Sequence, residues 1–166
     1  MTPPTLLHPA LHGRAAELVA ALRLQPHPEG GFYREVHRSP DLVQPEDGRT
    51  RRSALTTIDF LLARGQFSAW HRVASDEVWH LLEGGPLRLW LMAPSLQRVD
   101  CVDLAGTTST QRHVVPAHWW QAAEPLGDFA YVGATVGPGF DFADFGFLRG
   151  DAAALQRLDA GLTRLL

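Results

Sequence analysis

The stretch from Gly65 to Gly84 constrains the fold more than any other part of the chain. Gly65 is followed after five residues by His71, Val73 stands two places further on, Glu77 follows a short turn, and Gly84 closes the segment six residues later. Side chains on a strand alternate faces, so His71 and Val73 share one face while Trp70 and Arg72 share the other. Ala74, Ser75 and Asp76 supply a turn, and Glu77, Trp79 and Leu81 form one face of the returning strand. The spacing predicts a β-hairpin that turns an imidazole and a carboxylate toward one interior. An isolated His beside a Glu is more often a buried hydrogen-bonded pair than a functional site.

Elsewhere the chain alternates between short runs rich in β-branched and aromatic residues and breaks made of Gly, Pro, Asp and Ser. Residues 31–38, 53–62, 67–73, 77–82, 86–93, 97–104, 112–116, 119–123 and 129–136 read as strands, which is the pattern of an all-β sandwich or barrel. Leu11, Ala15, Leu18, Val19 and Leu22 recur at helical spacing, predicting a short helix over about residues 13–23 that ends before Pro26. Asp151 is a plausible N-cap for a second helix carrying the stripe Leu155, Leu158, Leu162 and Leu165. Both stripes read as packing faces. The Pro40 to Arg49 segment has little to bury and reads as a mobile loop.

At 166 residues and 45% hydrophobic content the chain can bury one substantial core, so residues 1–166 are expected to form a single domain. A net charge of -3 argues against nucleic acid as a partner, since phosphate binding needs a concentrated basic surface. Arg49, Arg51 and Arg52 make the one local basic cluster, read as a solvated loop rather than an anion site. The single Cys101 cannot form an internal disulfide and reads as a small core or surface residue. No apolar run reaches the roughly 18 residues of a membrane span. The segment Met1 to Pro9 lacks the basic start and apolar core of a secretory signal, so no membrane partner and a cytoplasmic location are expected.

Several segments in matching order carry a resemblance. They are Pro26-His27-Pro28-Glu29-Gly30-Gly31-Phe32-Tyr33-Arg34-Glu35, Trp70-His71-Arg72, Asp76-Glu77-Val78-Trp79-His80, Val115-Pro116 with Trp120-Gln121, Val132-Gly133, and Pro138-Gly139-Phe140-Asp141-Phe142-Ala143-Asp144-Phe145. From about residue 14 to 150 the chain resembles the cupin-like domain of unknown function 985 family. The resemblance implies a cupin jelly-roll, or double-stranded β-helix, barrel with short N- and C-terminal helices, commonly dimeric, with a pocket at one mouth. It also maps the four usual metal-ligand positions of cupins onto His71, Val73, Glu77 and Gln121, so two imidazoles are missing. His118 stands where the second cupin motif has Gly. One His, one Glu and an amide are a weak donor set for a transition ion. No cofactor is therefore expected; a divalent metal, if bound, would use His71, Glu77 and Gln121.

Three functions fit these residues. The first is a metal-independent isomerase or epimerase-like enzyme acting on a sugar or nucleotide-sugar-like ligand. By similarity to sugar-nucleotide epimerases, His71 would be the base, Tyr33 or Tyr131 the acid, and Glu77 the group that orients the imidazole. Glu35, Asp59, Ser68, Trp79, Trp119 and Gln121 are the remaining candidates for ligand contact. The second is a binding module without chemistry, in which Trp70, Trp79, Trp119 and Trp120 offer flat surfaces to a planar ligand. The third is a metal-dependent dioxygenase, decarboxylase or isomerase, which the missing imidazoles disfavour. His27 and Glu29 read as a tether for the Gly30-Gly31 turn. An open first strand is expected to pair with a second subunit.

Overall fold

The computed structural model describes residues 11–106 and 110–166; the segment read above for a leader, Met1 to Pro9, lies outside them. The chain order is α1 (Gly13–Leu22), β1 (Gln25–Pro26), β2 (Phe32–Arg38), β3 (Leu42–Val43), β4 (Arg52–Ser53), β5 (Thr56–Ala63), β6 (Ser68–Val73), β7 (Asp76–Gly84) and β8 (Leu87–Met92). It continues through β9 (Val99–Leu104), β10 (Arg112–Val115), β11 (Trp120–Pro125), β12 (Phe129–Gly137), β13 (Phe145–Phe147) and α2 (Ala152–Leu155). The nine expected strands are all present. Four very short ones, β1, β3, β4 and β13, lacked enough alternation to stand out.

Two antiparallel sheets face each other, in the orders β1-β2-β5-β12-β7-β10 and β13-β6-β11-β8-β9, while β3 and β4 form a small separate pair. The architecture is the all-β jelly-roll barrel. Phe60, Leu62, Trp79 and Val132 of the first sheet meet Leu87, Leu89, Leu91 and Ala123 of the second in a dry core that fills one end of the roll. Alternation on β5 sends Phe60 and Leu62 into this core and Leu61 and Ala63 outward under α1, where Ala15 and Leu18 cover them. Because hydrophobic side chains occupy one end, the interior stays open at the other.

The expected second helix is shorter. Asp151 caps it, its side chain accepting from the Ala154 amide at 3.0 Å, but regular helix stops at Leu155. Asp159, Ala160 and Gly161 interrupt the stripe with turns, and Leu162 and Leu165 still reach the core that holds Trp70 and Trp120. Among the described residues no helix is long and apolar enough to cross a membrane. Cys101 is exposed.

The Pro40 to Arg49 loop and the arginine cluster differ from expectation for one shared reason. Asp144 accepts from Arg49 Nη1 at 2.8 Å, Arg52 Nε at 2.9 Å and Arg52 Nη2 at 2.8 Å. Arg49 also donates to Ser75 Oγ at 3.0 Å. Arg52 is therefore buried instead of solvated, and the loop is tied to the turn at Phe142–Asp144. Paired guanidinium and carboxylate groups can be buried because each satisfies the other.

Candidate active site

A cavity of about 290 Å³ occupies the open end of the roll. Tyr33 and Glu35 of β2, Thr56 and Ile58 of β5, Glu77 of β7, and Ala134 and Val136 of β12 line it from the first sheet. His71 and Val73 of β6 and Phe145 of β13 line it from the second. The expected hairpin geometry holds: His71, Val73 and Glu77 all face this interior. Tyr33 and Glu35 share that face by alternation, and a bulge between Glu35 and His37 then brings Arg38 onto it as well.

The carboxylate in contact with His71 is Glu29, which sequence reasoning had placed in a structural tether. His71 Nε2 lies 3.3 Å from Glu29 Oε2, and Ser68 Oγ donates to Glu29 Oε1 at 2.8 Å. Gly30 makes this approach possible. It sits at φ 113° with the Phe67 carbonyl oxygen only 2.0 Å from where a Cβ would be, so any side chain there would lift the loop off β6. The Glu29 carbonyl accepts from the Ala69 amide at 2.8 Å, completing the dock. A His and a Glu two residues apart, just before paired glycines, were the available signal.

The protonation of this pair follows from its contacts. His71 Nδ1 is 2.7 Å from the Ala69 carbonyl oxygen, which can only accept, so Nδ1 carries the hydrogen. Nε2, left without a hydrogen, faces Glu29 Oε2 at 3.3 Å. Burial lowers the His71 pKa and raises that of Glu29, so the favoured arrangement is a neutral imidazole accepting from a protonated carboxyl. Phe145 stacks on the His71 ring at 5.3 Å. His27 lies beside Tyr33, with centroids 4.5 Å apart, and its Nδ1 accepts from the Glu29 amide at 3.2 Å. Burial lowers the His27 pKa too.

Glu77 is the second acidic group. Burial is the main cause that raises its pKa to about 7, with His71 pulling it down and Glu29 pushing it up. Gln121 Nε2 donates to Glu77 Oε2 at 2.5 Å, and Trp79 Nε1 donates to Gln121 Oε1 at 2.9 Å. An indole nitrogen only donates, which fixes the Gln121 amide with its oxygen toward Trp79 and its NH₂ toward Glu77. No bond within the described residues reaches Glu77 Oε1.

These contacts bear on the metal donors implied by the resemblance. Val73 offers no donor atom, the Gln121 oxygen is taken by Trp79, and the free nitrogen of His71 faces Glu29. Among the described residues no group of three or more His, Cys, Asp or Glu side chains is arranged to hold an ion. The set His71, Glu77 and Gln121 does not fit a transition metal.

Other candidates lie elsewhere. Tyr131 and Asp59 are on the outer face of the first sheet, where Tyr131 Oη donates to Asp59 Oδ1 at 2.9 Å and Arg34 Nη2 to Asp59 Oδ2 at 2.6 Å. Strand parity explains it: Asp59 is odd on β5, like Leu61 beneath α1, and Tyr131 packs in that same cluster. Tyr131 is therefore removed from the catalytic set and Asp59 from the ligand contacts. Ser68 does not line the cavity and acts through Glu29; Trp79 is core and acts through Gln121; Trp119 packs against the inter-sheet core. Thr56, Ile58, Phe140, Asp141 and Phe142 line the cavity without having been singled out.

The fold is shared with other solved proteins. A hypothetical protein from Leishmania major is 30% identical with a TM-score of 0.83, the match covering 92% of this chain and 98% of that one. A protein from Shewanella oneidensis is 28% identical with a TM-score of 0.80, covering 93% and 98%. Oxalate decarboxylase from Bacillus subtilis, at 14% identity and a TM-score of 0.55 over 85% of this chain and 36% of that one, shares the fold alone. No curated protein matches the chain in sequence. The family model described as Cupin superfamily (DUF985) matches residues 16–148, and with the jelly roll and its inward His71 and Glu77 the chain belongs to that family.

Proposed function

We propose that the cavity is a substrate pocket for metal-independent proton transfer at carbon, of the isomerase or epimerase kind. The observation that carries this is the presence of two separate acidic groups on one cavity: a buried Glu29 carboxyl set 3.3 Å from His71, and a buried Glu77 whose Oε1 takes no bond from the described residues and whose pKa burial raises to about 7. Glu77 takes a proton from the carbon next to a carbonyl, the C–H electron pair forms the enol double bond, and the His71–Glu29 pair gives its proton to the carbonyl oxygen. Return of the Glu77 proton to the neighbouring carbon, with an enol hydroxyl proton going back to Glu29, regenerates the carbonyl and both protein groups; return to the other face needs a second donor, and Glu77 then loses its proton to solvent as that donor regains one. Tyr33 remains a candidate for that return because it lines the same cavity. His71 thus moves from base to the group that positions the proton donor, Glu29. The volume, at the lower end for ligand pockets, fits a small sugar-like compound; the carboxylates on its walls disfavour a diphosphate.

The test is solvent-deuterium exchange into small hydroxycarbonyl and aminocarbonyl compounds, followed by mass spectrometry with a chelator present. Exchange should persist with chelator and fall by roughly 10²-fold or more in His71→Ala and in Glu77→Gln. Stabilisation by a compound with no exchange would identify a binding module. Exchange that requires added metal would overturn the reading.

A further inference from the structure

The cavity also carries information about the charge of what it holds. Four carboxylates line it, Glu29, Glu35, Glu77 and Asp141, against one guanidinium, Arg38. Arg38 is committed to Glu35, with Nε to Oε1 at 3.1 Å and Nη2 to Oε2 at 2.9 Å. Glu29 and Glu77 are each more than nine-tenths buried, and Glu77 Oε1 has no bond from the described residues. The remaining walls are aromatic. Phe140, Phe142 and Phe145 pack edge to face at 5.0 to 6.3 Å, and Tyr33 lines the cavity across from them on β2. Phe142 lies largely exposed at the mouth. Buried acids at the floor with π faces on the walls match a cation on a hydrocarbon frame: the carboxylates take N–H donors, and aromatic faces attract positive charge without demanding water. An anionic ligand would meet carboxyl groups there and a guanidinium already committed to Glu35.

We infer that the ligand is a small organic cation, its ammonium group set against the open oxygen of Glu77 and its carbon frame against Tyr33, Phe140 and Phe145. This rests on the reading of the cavity as a substrate pocket, and it narrows the substrate to an amine-bearing carbonyl compound. Binding couples to protons. The groups facing Glu77 are His71, Glu29 and Gln121, with His27, Tyr33, Glu35, Arg38 and Asp141 on the same cavity. A cation favours ionised Glu77, so its affinity rises with pH as that carboxyl gives up its proton.

An isosteric series isolates charge from shape: cyclohexylamine, cyclohexanol and cyclohexanecarboxylate, each measured with the full chain by calorimetry and thermal shift. Cyclohexylamine stays protonated through neutral pH, as lysine does. It should bind at least roughly tenfold tighter than the alcohol, the carboxylate should not bind, and the preference should rise from about pH 6 to 8. Glu77→Gln should erase that pH dependence and most of the preference, while Arg64→Ala on the surface should change neither. Equal or tighter binding of the carboxylate or the alcohol, or no binding of the amine at millimolar concentration, overturns the inference. Deuterium exchange is read separately, so loss of exchange with amine preference intact would sink only the catalytic reading, and the converse only this one.

Discussion

A carboxyl group whose pKa has moved from 4.5 to about 7 leaves a mark on stability. Folded Glu77 holds its proton over a range where the unfolded chain has lost it, so its contribution is complete below about pH 4.5 and declines as pH rises toward 7. A shift of this size is worth about 3 kcal/mol. The buried, lowered imidazoles of His71 and His27 act with the opposite sign, stabilising above the unfolded value of 6.5 and less so as pH falls below it. Glu77→Gln isolates the first effect. Denaturant titrations should show the variant gaining about 3 kcal/mol on the parent between pH 4.5 and 7.5; a constant difference would mean that Glu77 titrates normally. The sequence made His71, Val73 and Glu77 legible because strand parity and one short turn decide where they point. It did not reveal the partner of His71, because Glu29 arrives on a loop docked by Gly30 against Phe67, a contact across 37 residues with no period to read. Parity was equally decisive where it was not applied. Asp59 and Tyr131 are polar residues on the outer face of strands whose other face is the barrel interior.

The elements around the mouth depend on one ionic brace. Asp144 follows Phe142 and precedes Phe145, so its bonds to Arg49 and Arg52 hold the aromatic wall of the cavity against the loop that connects β3 to β4. Asp144 is pulled below the usual carboxylate range, mainly by its bond to Arg52. Asp144→Asn keeps the shape but leaves two guanidinium groups short of their counter-charge. It should lower Tm by roughly 5 °C and weaken binding of any pocket ligand, with both changes visible in thermal shift. An unchanged Tm would mean that the brace is dispensable. The long strands and α1 were readable because each carries several repeats of its period, whereas β3, β4 and β13 have two or three residues each. Three arginines in four residues read as a solvated loop because composition cannot show a single carboxylate waiting 92 positions away. At the other end, regular helix stops at Leu155, and turns replace the helix that leucine spacing alone had extended to Leu165.

At the level of the molecule, the jelly roll leaves one long edge bare. Residues Gln25 and Pro26 cover only the start of β2, and the rest of that strand has its neighbour β5 on one side only. Val36 is exposed on this segment. Open edges of this length recruit another strand, so sedimentation at micromolar concentration should give a dimer and Val36→Lys a monomer. A monomeric parent would contradict the pairing. The division of the interior, hydrophobic at one end and protonic at the other, follows from which strands carry Phe60, Leu62, Leu89 and Leu91 and which carry Glu77 and His71. The proposed proton transfer depends on that second end holding two separately protonated groups. The most direct test is solution NMR of the free protein, following the Glu77 carboxyl carbon and the His71 ring nitrogens from acid to mildly alkaline pH. A Glu77 midpoint near 7, with His71 keeping its hydrogen on Nδ1 and titrating below 6.5, is the expected result. A Glu77 midpoint near 4.5, or a hydrogen on Nε2 of neutral His71, would contradict it.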